Sequence, residues 1–130
     1  MVGSGIDIIA IGRIEESIGR SGRSFLQRVY TDKEIEYCES RKVNAMQSFA
    51  GRFAAKEAVS KALGTGIGTR GVSFQDMEIL ADPYGMPCVS LTGQAAKVYE
   101  EKKGRSISVS ISHDGGFAVA VCHIEYEDER

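Results

Sequence analysis

The sequence predicts an α+β fold: a single domain, spanning residues 1–130, in which a small, mostly antiparallel sheet packs on one long central helix. Three observations predict it. Phe49 to Leu63 (FAGRFAAKEAVSKAL) is rich in alanine and free of proline, which favours a long helix. Arg105 to Ser112 alternates strictly, with Ile107, Val109 and Ile111 on one face and Ser106, Ser108, Ser110 and Ser112 on the other, the pattern of a half-buried strand. A glycine-containing turn and a second apolar run, Phe117 to Ile124, follow directly, so these strands return on each other as a hairpin. A chain of 130 residues builds one core and not two comfortable ones, and no repeat, linker or low-complexity stretch divides it.

Val2 to Ala10 is the first expected strand, with Ile6, Ile8 and Ile9 supplying β-branched bulk. Asp7 stands inside this apolar run. An ionised carboxylate there needs an ion-pair partner, hydrogen bonds or a metal, unless the strand ends early and Asp7 caps a turn. Ile11 to Gly19 suits a short helix with Ile14 and Ile18 on one side, SGRS breaks it, and Ser24 can cap a further turn through Phe25, Leu26 and Val29. Thr31 and Glu34 match a capping box opening a helix to about Arg41, and Asn44 with Gln47 repeats that signal ahead of the central helix. Gly64 suits a left-handed cap at the end of that helix.

Gly64 to Gly71 holds four glycines in eight residues and matches neither a Walker A loop nor a Rossmann fingerprint. It is either a flexible solvent loop or backbone that approaches a ligand closely. Asp76 to Ala81 and Pro87 to Leu91 read as a hairpin around Asp82-Pro83-Tyr84-Gly85. Gly93 to Lys103 is a last helix with Ala96, Val98 and Tyr99 inward. His113-Asp114-Gly115-Gly116 makes the turn between the final strands, which puts His113 at a strand end.

Composition removes several function classes. No apolar run approaches the ~20 residues of a membrane helix, and MVGSGIDII has neither the basic start nor the cleavage site of a signal peptide, so a cytoplasmic protein is expected. Cys38, Cys88 and Cys122 form neither a zinc pattern nor a disulfide framework. A formal charge of −2 carries no general nucleic-acid signal. Charge is uneven, however: Arg13, Arg20, Arg23 and Arg28 cluster near the N-terminus, a candidate patch for an acidic partner as well as an ordinary solvated face. The last six residues, EYEDER, are mostly acidic and match no motif.

The central helix carries the sharpest conflict. Its apolar residues run nearly all the way round, yet it holds Arg52, Lys56, Glu57 and Lys61. Arg52 and Lys56 stand four apart, where like charges repel. The bland account is a Glu57–Lys61 surface pair with Arg52 and Lys56 snorkelling to water. The functional account gives these charges a ligand. Asp7 and Glu57, from separate elements, suit a hard cation such as Mg²⁺, which takes one or two protein carboxylates and completes its shell with water and substrate phosphates. Nearby lysines and arginines would neutralise those phosphates, so the constellation predicts phosphoryl-type chemistry on a pyrophosphate.

Gly5-Ile6-Asp7-Ile8, Phe53-Ala54-Ala55-Lys56-Glu57-Ala58-Val59-Ser60-Lys61 and Ser110-Ile111-Ser112-His113 together resemble the signature motifs of 4′-phosphopantetheinyl transferases. The resemblance runs over essentially the whole chain and is to the small bacterial single-domain branch. It implies transfer of 4′-phosphopantetheine from coenzyme A to a serine of apo acyl carrier protein, as in fatty acid biosynthesis, with adenosine 3′,5′-bisphosphate released. It implies Asp7 and Glu57 as Mg²⁺ ligands, and Glu57, Lys61 and His113 as catalytic residues. It implies Arg41, Arg52, Lys56, Lys61, Gly64, Gly66 and His113 as coenzyme A-binding residues. It further implies carrier docking near Arg13 and Arg20, and a homotrimer with active sites shared between subunits. The base that deprotonates the serine stays open between a metal-held water and Glu57 acting through it. Where many relatives carry Gly-Lys-Pro, this chain has Gly85-Met86-Pro87. A Mg²⁺-dependent pyrophosphohydrolase acting on coenzyme A or a nucleotide could use the same carboxylates and lysines, and a non-enzymatic coenzyme A sensor would leave Asp7 merely structural.

Overall fold

The computed structural model describes residues 1–128, so Glu129 and Arg130 of the acidic tail lie outside the described residues. In chain order the elements are β1 (Val2–Ala10), α1 (Ile11–Ser21), α2 (Arg23–Val29), α3 (Asp32–Ser40), α4 (Ala45–Leu63), β2 (Met77–Ala81), β3 (Pro87–Leu91), α5 (Gly93–Glu101), β4 (Gly104–Asp114) and β5 (Phe117–Tyr126). The strands form two antiparallel sheets, a three-stranded one in the order β1-β5-β4 and a separate β2-β3 hairpin. The α+β expectation holds, with the second hairpin standing apart from the main sheet.

Helix α4 runs through the middle, packed on β1, β4 and β5 on one side and on α1, α3 and β2 on others. It starts at Ala45, four residues before the expected Phe49, and Asn44 occupies the cap position with no side-chain cap bond. It ends as expected, with Gly64 at φ +85° and its N–H turned back to the carbonyls of Ser60 and Lys61. The Thr31–Glu34 capping box is present in both directions. Ser24 is not a cap: Gly22 holds that position for α2, and Ser24 falls in its first turn.

The sheet face under α4 is built from small residues. Gly5 pairs with Cys122, Asp7 with Ala120 and Ile9 with Ala118, and of these Gly5, Ile9, Ala118, Ala120 and Cys122 are buried. A Cβ on Gly5 would run into the Ala58 carbonyl oxygen and would lie 2.8 Å from the Ala62 nitrogen and the Lys61 Cβ, so glycine is what lets β1 cross the helix at this distance. Pleat alternation then turns Val2, Ile6 and Ile8 outward, and Ile6 and Ile8 are 62% and 63% exposed. Among the described residues no helix is long and apolar enough to cross a membrane.

The open edge of β2 is closed by charged side chains. Glu34 accepts from the Ile79 N–H at 2.7 Å, Arg52 Nε donates to the Ile79 carbonyl at 3.0 Å, and Lys56 Nζ donates to the Met77 carbonyl at 2.8 Å. An unpaired strand edge inside a protein needs such partners.

Candidate functional site

Two clusters meet on α4. In the first, β1 brings Asp7 against the stripe that carries Glu57 and Lys61. Lys61 Nζ lies 3.2 Å from Asp7 Oδ1 and donates to the Ile6 carbonyl at 2.9 Å. The expected Glu57–Lys61 pair is therefore replaced by a pair across elements. Burial raises the Glu57 carboxyl above its ordinary range, the nearby Asp7 charge raises it further, and Lys61 opposes both. Two carboxylates close enough to act on each other, with one lysine beside them, make a site whose charge a cation would balance. Ile6, Asp7, Ile8, Lys61 and Val119 line a depression of about 280 Å³ beside it. Among the described residues no group of three or more His, Cys, Asp and Glu side chains gathers, so any cation held here would depend on water or substrate for its other ligands.

The second cluster is a cationic cavity of about 200 Å³ between α3, α4, the β2-β3 hairpin and β4. Arg41, Arg52 and His113 line it, together with Tyr37, Ser48 and Pro87. Arg52 is only 7% exposed. Its Nε is spent on the Ile79 carbonyl, its guanidinium carbon lies 4.3 Å from the centre of the Tyr37 ring, and no carboxylate comes within ion-pair distance among the described residues. A nearly buried arginine without an anion presents its remaining N–H donors to the cavity. His113 lies in β4, which runs on to Asp114, so the turn consists of Gly115 and Gly116 alone. Its Nε2 is 3.0 Å from the Gln47 carbonyl, which can only accept, so Nε2 carries a proton. Gly51 makes this approach possible, because a Cβ there would lie 3.0 Å from His113 Nε2.

Three expected ligand-binding residues are placed elsewhere. Lys56 does not reach the cavity or water: it is 0% exposed, pairs with Glu34 at 2.6 Å and donates to the carbonyls of Val29, Phe74 and Met77. Its three N–H donors are consumed by protein oxygens, and burial pulls its ammonium below the ordinary lysine range against the pull of Glu34. Gly64 and Gly66 line neither cluster; their φ values of +85° and +69° show what glycine does there, which is to turn the chain out of α4. On α1, Arg13 and Arg20 are exposed, and Arg20 is tied to Glu16 at 2.7 Å, while Arg13 has no ion-pair partner among the described residues.

Sequence reasoning missed Tyr37, Ser48 and Gly51 as parts of the cationic cavity. Only Gly51 left a trace, since a glycine inside a helix costs about 1 kcal/mol against alanine and calls for a reason.

Comparison with known proteins places the chain in a family. The family model for the 4′-phosphopantetheinyl transferase superfamily matches residues 3–122. A holo-[acyl-carrier-protein] synthase of Ruminiclostridium cellulolyticum is 51% identical over 95% of this chain and 92% of its own, and one of Geotalea daltonii is 48% identical over 95% and 97%. Among solved structures, the Helicobacter pylori holo-[acyl-carrier-protein] synthase in complex with coenzyme A superposes with a TM-score of 0.82 at 40% identity, covering 96% of this chain and all of that one. The Bacillus anthracis holo-(acyl-carrier-protein) synthase in complex with coenzyme A (3′,5′-ADP) gives 0.79 at 38% identity, with 96% of both chains covered. With the motifs in β1, α4 and β4 standing where the fold brings them together, the chain belongs to the 4′-phosphopantetheinyl transferase superfamily, as an enzyme of its holo-[acyl-carrier-protein] synthase branch.

Proposed function

We propose that the two clusters are the two halves of one coenzyme A site, and that the enzyme is Mg²⁺-dependent. The observation that carries this is the sorting of charge around α4: Asp7 of β1 with Glu57 and Lys61 towards its C-terminal end, and Arg52 at its middle with Arg41 of the α3 cap, beside His113 and without an anion among the described residues. A ligand with a pyrophosphate and a separate phosphomonoester has that complementary pattern. The Arg41–Arg52 cavity would take the 3′-phosphate, Asp7 and Glu57 are the residues that would hold Mg²⁺, and Lys61 would contact the pyrophosphate. Burial and, after it, the Asp7 charge raise the Glu57 carboxyl, and a dication would offset both. When bound, Mg²⁺ supplies charge neutralisation on the pyrophosphate. His113 holds its Nε2–H on the Gln47 carbonyl, and its Nδ1 donates to a phosphate oxygen only when that nitrogen is protonated as well. The carrier serine oxygen forms a bond to the phosphorus bearing pantetheine as the bond to adenosine 3′,5′-bisphosphate breaks, and the serine proton leaves through water near Glu57.

The outer face of the main sheet supports assembly. Ile6 and Ile8 are exposed on β1, and Phe117, 48% exposed, on β5, beside the carboxylate cluster. Apolar surface of this kind marks an interface, and we infer a homotrimer that buries it and places a neighbour's residues next to Asp7. Arg13 and Arg20 lie exposed on α1 to meet an acidic carrier protein. Exposed pairs contribute only about 0–1 kcal/mol each, so they act mainly on encounter rate and specificity.

Intact-mass spectrometry of an apo acyl carrier protein incubated with the enzyme, coenzyme A and Mg²⁺, with and without EDTA, tests the reading. A metal-dependent gain of the phosphopantetheine mass, absent from a carrier whose serine is replaced by alanine, is expected. Coenzyme A cleavage with an unmodified carrier would instead establish a pyrophosphohydrolase, and ligand binding without turnover a sensor.

A further inference from the structure

Arg41 and Arg52 reach one cavity from different elements, and two guanidiniums at close quarters repel. Neither has a carboxylate within ion-pair distance among the described residues. What they share is the face of Tyr37: the guanidinium carbon of Arg52 lies 4.3 Å from the ring centre and that of Arg41 5.9 Å. Both distances fall within the reach of a cation–π attraction, about 6 Å. The placement is local in origin. Tyr37 is on α3 and Arg41, at the C-terminal cap of that helix, follows it by one turn, so their side chains are neighbours. Arg52 comes from α4 and is pinned from behind by the Ile79 carbonyl, which leaves Tyr37 as the surface that sets the tilt of its fork.

We propose that Tyr37 is a positioning residue whose ring face gathers Arg41 and Arg52 into one phosphomonoester-binding fork, and so sets the preference for coenzyme A over 3′-dephospho-coenzyme A. The proposal rests on the assignment of this cavity to the 3′-phosphate. The ring, not the hydroxyl, carries the effect.

Steady-state kinetics with coenzyme A and with 3′-dephospho-coenzyme A test it, on the wild type, Tyr37→Leu and Tyr37→Phe. In Tyr37→Leu the KM for coenzyme A should rise about three- to thirty-fold, the span that a cation–π contact covers between exposed and desolvated settings. The KM for the dephospho substrate and both kcat values should stay put, because the lost interaction acts on binding of the phosphomonoester alone. Tyr37→Phe should restore the ratio of the two KM values. That ratio is taken on one preparation, so partial unfolding of a variant cancels from it. Equal rises in both KM values, an unchanged ratio, or a Tyr37→Phe variant as impaired as Tyr37→Leu would each overturn the proposal. A wild type indifferent to the 3′-phosphate would overturn the assignment of the cavity itself, and the role of Tyr37 with it.

Discussion

Replacing Lys56 with methionine keeps a good helix former of similar reach and removes one buried charge. Lys56 is wholly buried, with Glu34 at 2.6 Å and the carbonyls of Val29, Phe74 and Met77 at 2.8, 3.0 and 2.8 Å. Without it, Glu34 keeps only the Thr31 and Ile79 N–H groups, and the three carbonyls lose a donor. Breaking a buried pair from one side costs about 3–5 kcal/mol. At about 2.1 cal/mol/K per residue, the unfolding entropy of a 130-residue chain is about 0.27 kcal/mol/K, so Tm should fall by roughly 11–18 °C. The double variant Glu34→Gln/Lys56→Met should recover part of this, since no charge is then stranded. Thermal and urea unfolding measure the loss, and the KM for coenzyme A, taken well below Tm, should move little. A loss under about 0.5 kcal/mol, within the range of ordinary surface substitutions, together with a raised KM, would refute the structural role and return Lys56 to the ligand.

Glu57→Gln tests the carboxylate cluster by separating stability from activity. Because the folded state raises the Glu57 carboxyl, it binds that proton more tightly than the unfolded chain, and stability is lost as pH rises from the ordinary glutamate value through the folded one. In metal-free buffer at neutral pH the variant should therefore melt no lower than wild type, while kcat/KM falls by at least about 100-fold; near-full activity would remove Glu57 from the site. Arg13→Glu should raise the KM for carrier protein, with the wild-type advantage shrinking as salt is added, and should spare the KM for coenzyme A; equal damage to both substrates would argue against docking on α1. If the proposed homotrimer buries the exposed sheet face, Ile8→Glu should sediment as a monomer beside a trimeric wild type, and a variant that stays trimeric would place the interface elsewhere.

The elements were legible where period alone decides them. The alternation of Arg105 to Ser112, the alanine run of α4 and the Thr31–Glu34 box each encode a local structure that tertiary contacts only confirm. Asp7 was legible as well, because a carboxylate in an apolar strand must find a partner, and it finds Lys61. The fate of the helix cations was not. Lys56 is a core residue because Glu34 meets it from α3, and Arg52 is turned by Tyr37 and by the edge of β2, and none of these lies near it in sequence. Neither snorkelling to water nor a shared ligand describes them both. His113-Asp114-Gly115-Gly116 reads as a turn in sequence, yet β4 carries its pairing as far as Asp114↔Phe117.

The four charges of α4 look redundant in sequence and divide cleanly in space. A helix turns about 100° per residue, so Arg52 and Lys56 fall on one stripe, and Glu57 and Lys61 on another roughly 100° away. The first stripe is anchored: Lys56 in a buried net of oxygens and Arg52 on the β2 edge. Those fixed contacts hold the helix in azimuth and along its axis. The second stripe is then presented to β1, where Gly5 sets the crossing distance and Asp7 follows two residues later on the same face. The repulsion expected between Arg52 and Lys56 is relieved because each is neutralised or solvated by different protein groups, Glu34 with three carbonyls for one and a carbonyl with an aromatic face for the other. A site held to fractions of an ångström needs supporting contacts of this kind. The charge pattern that made the helix look unfit for a core is what fixes the core helix in the position its outward carboxylate requires.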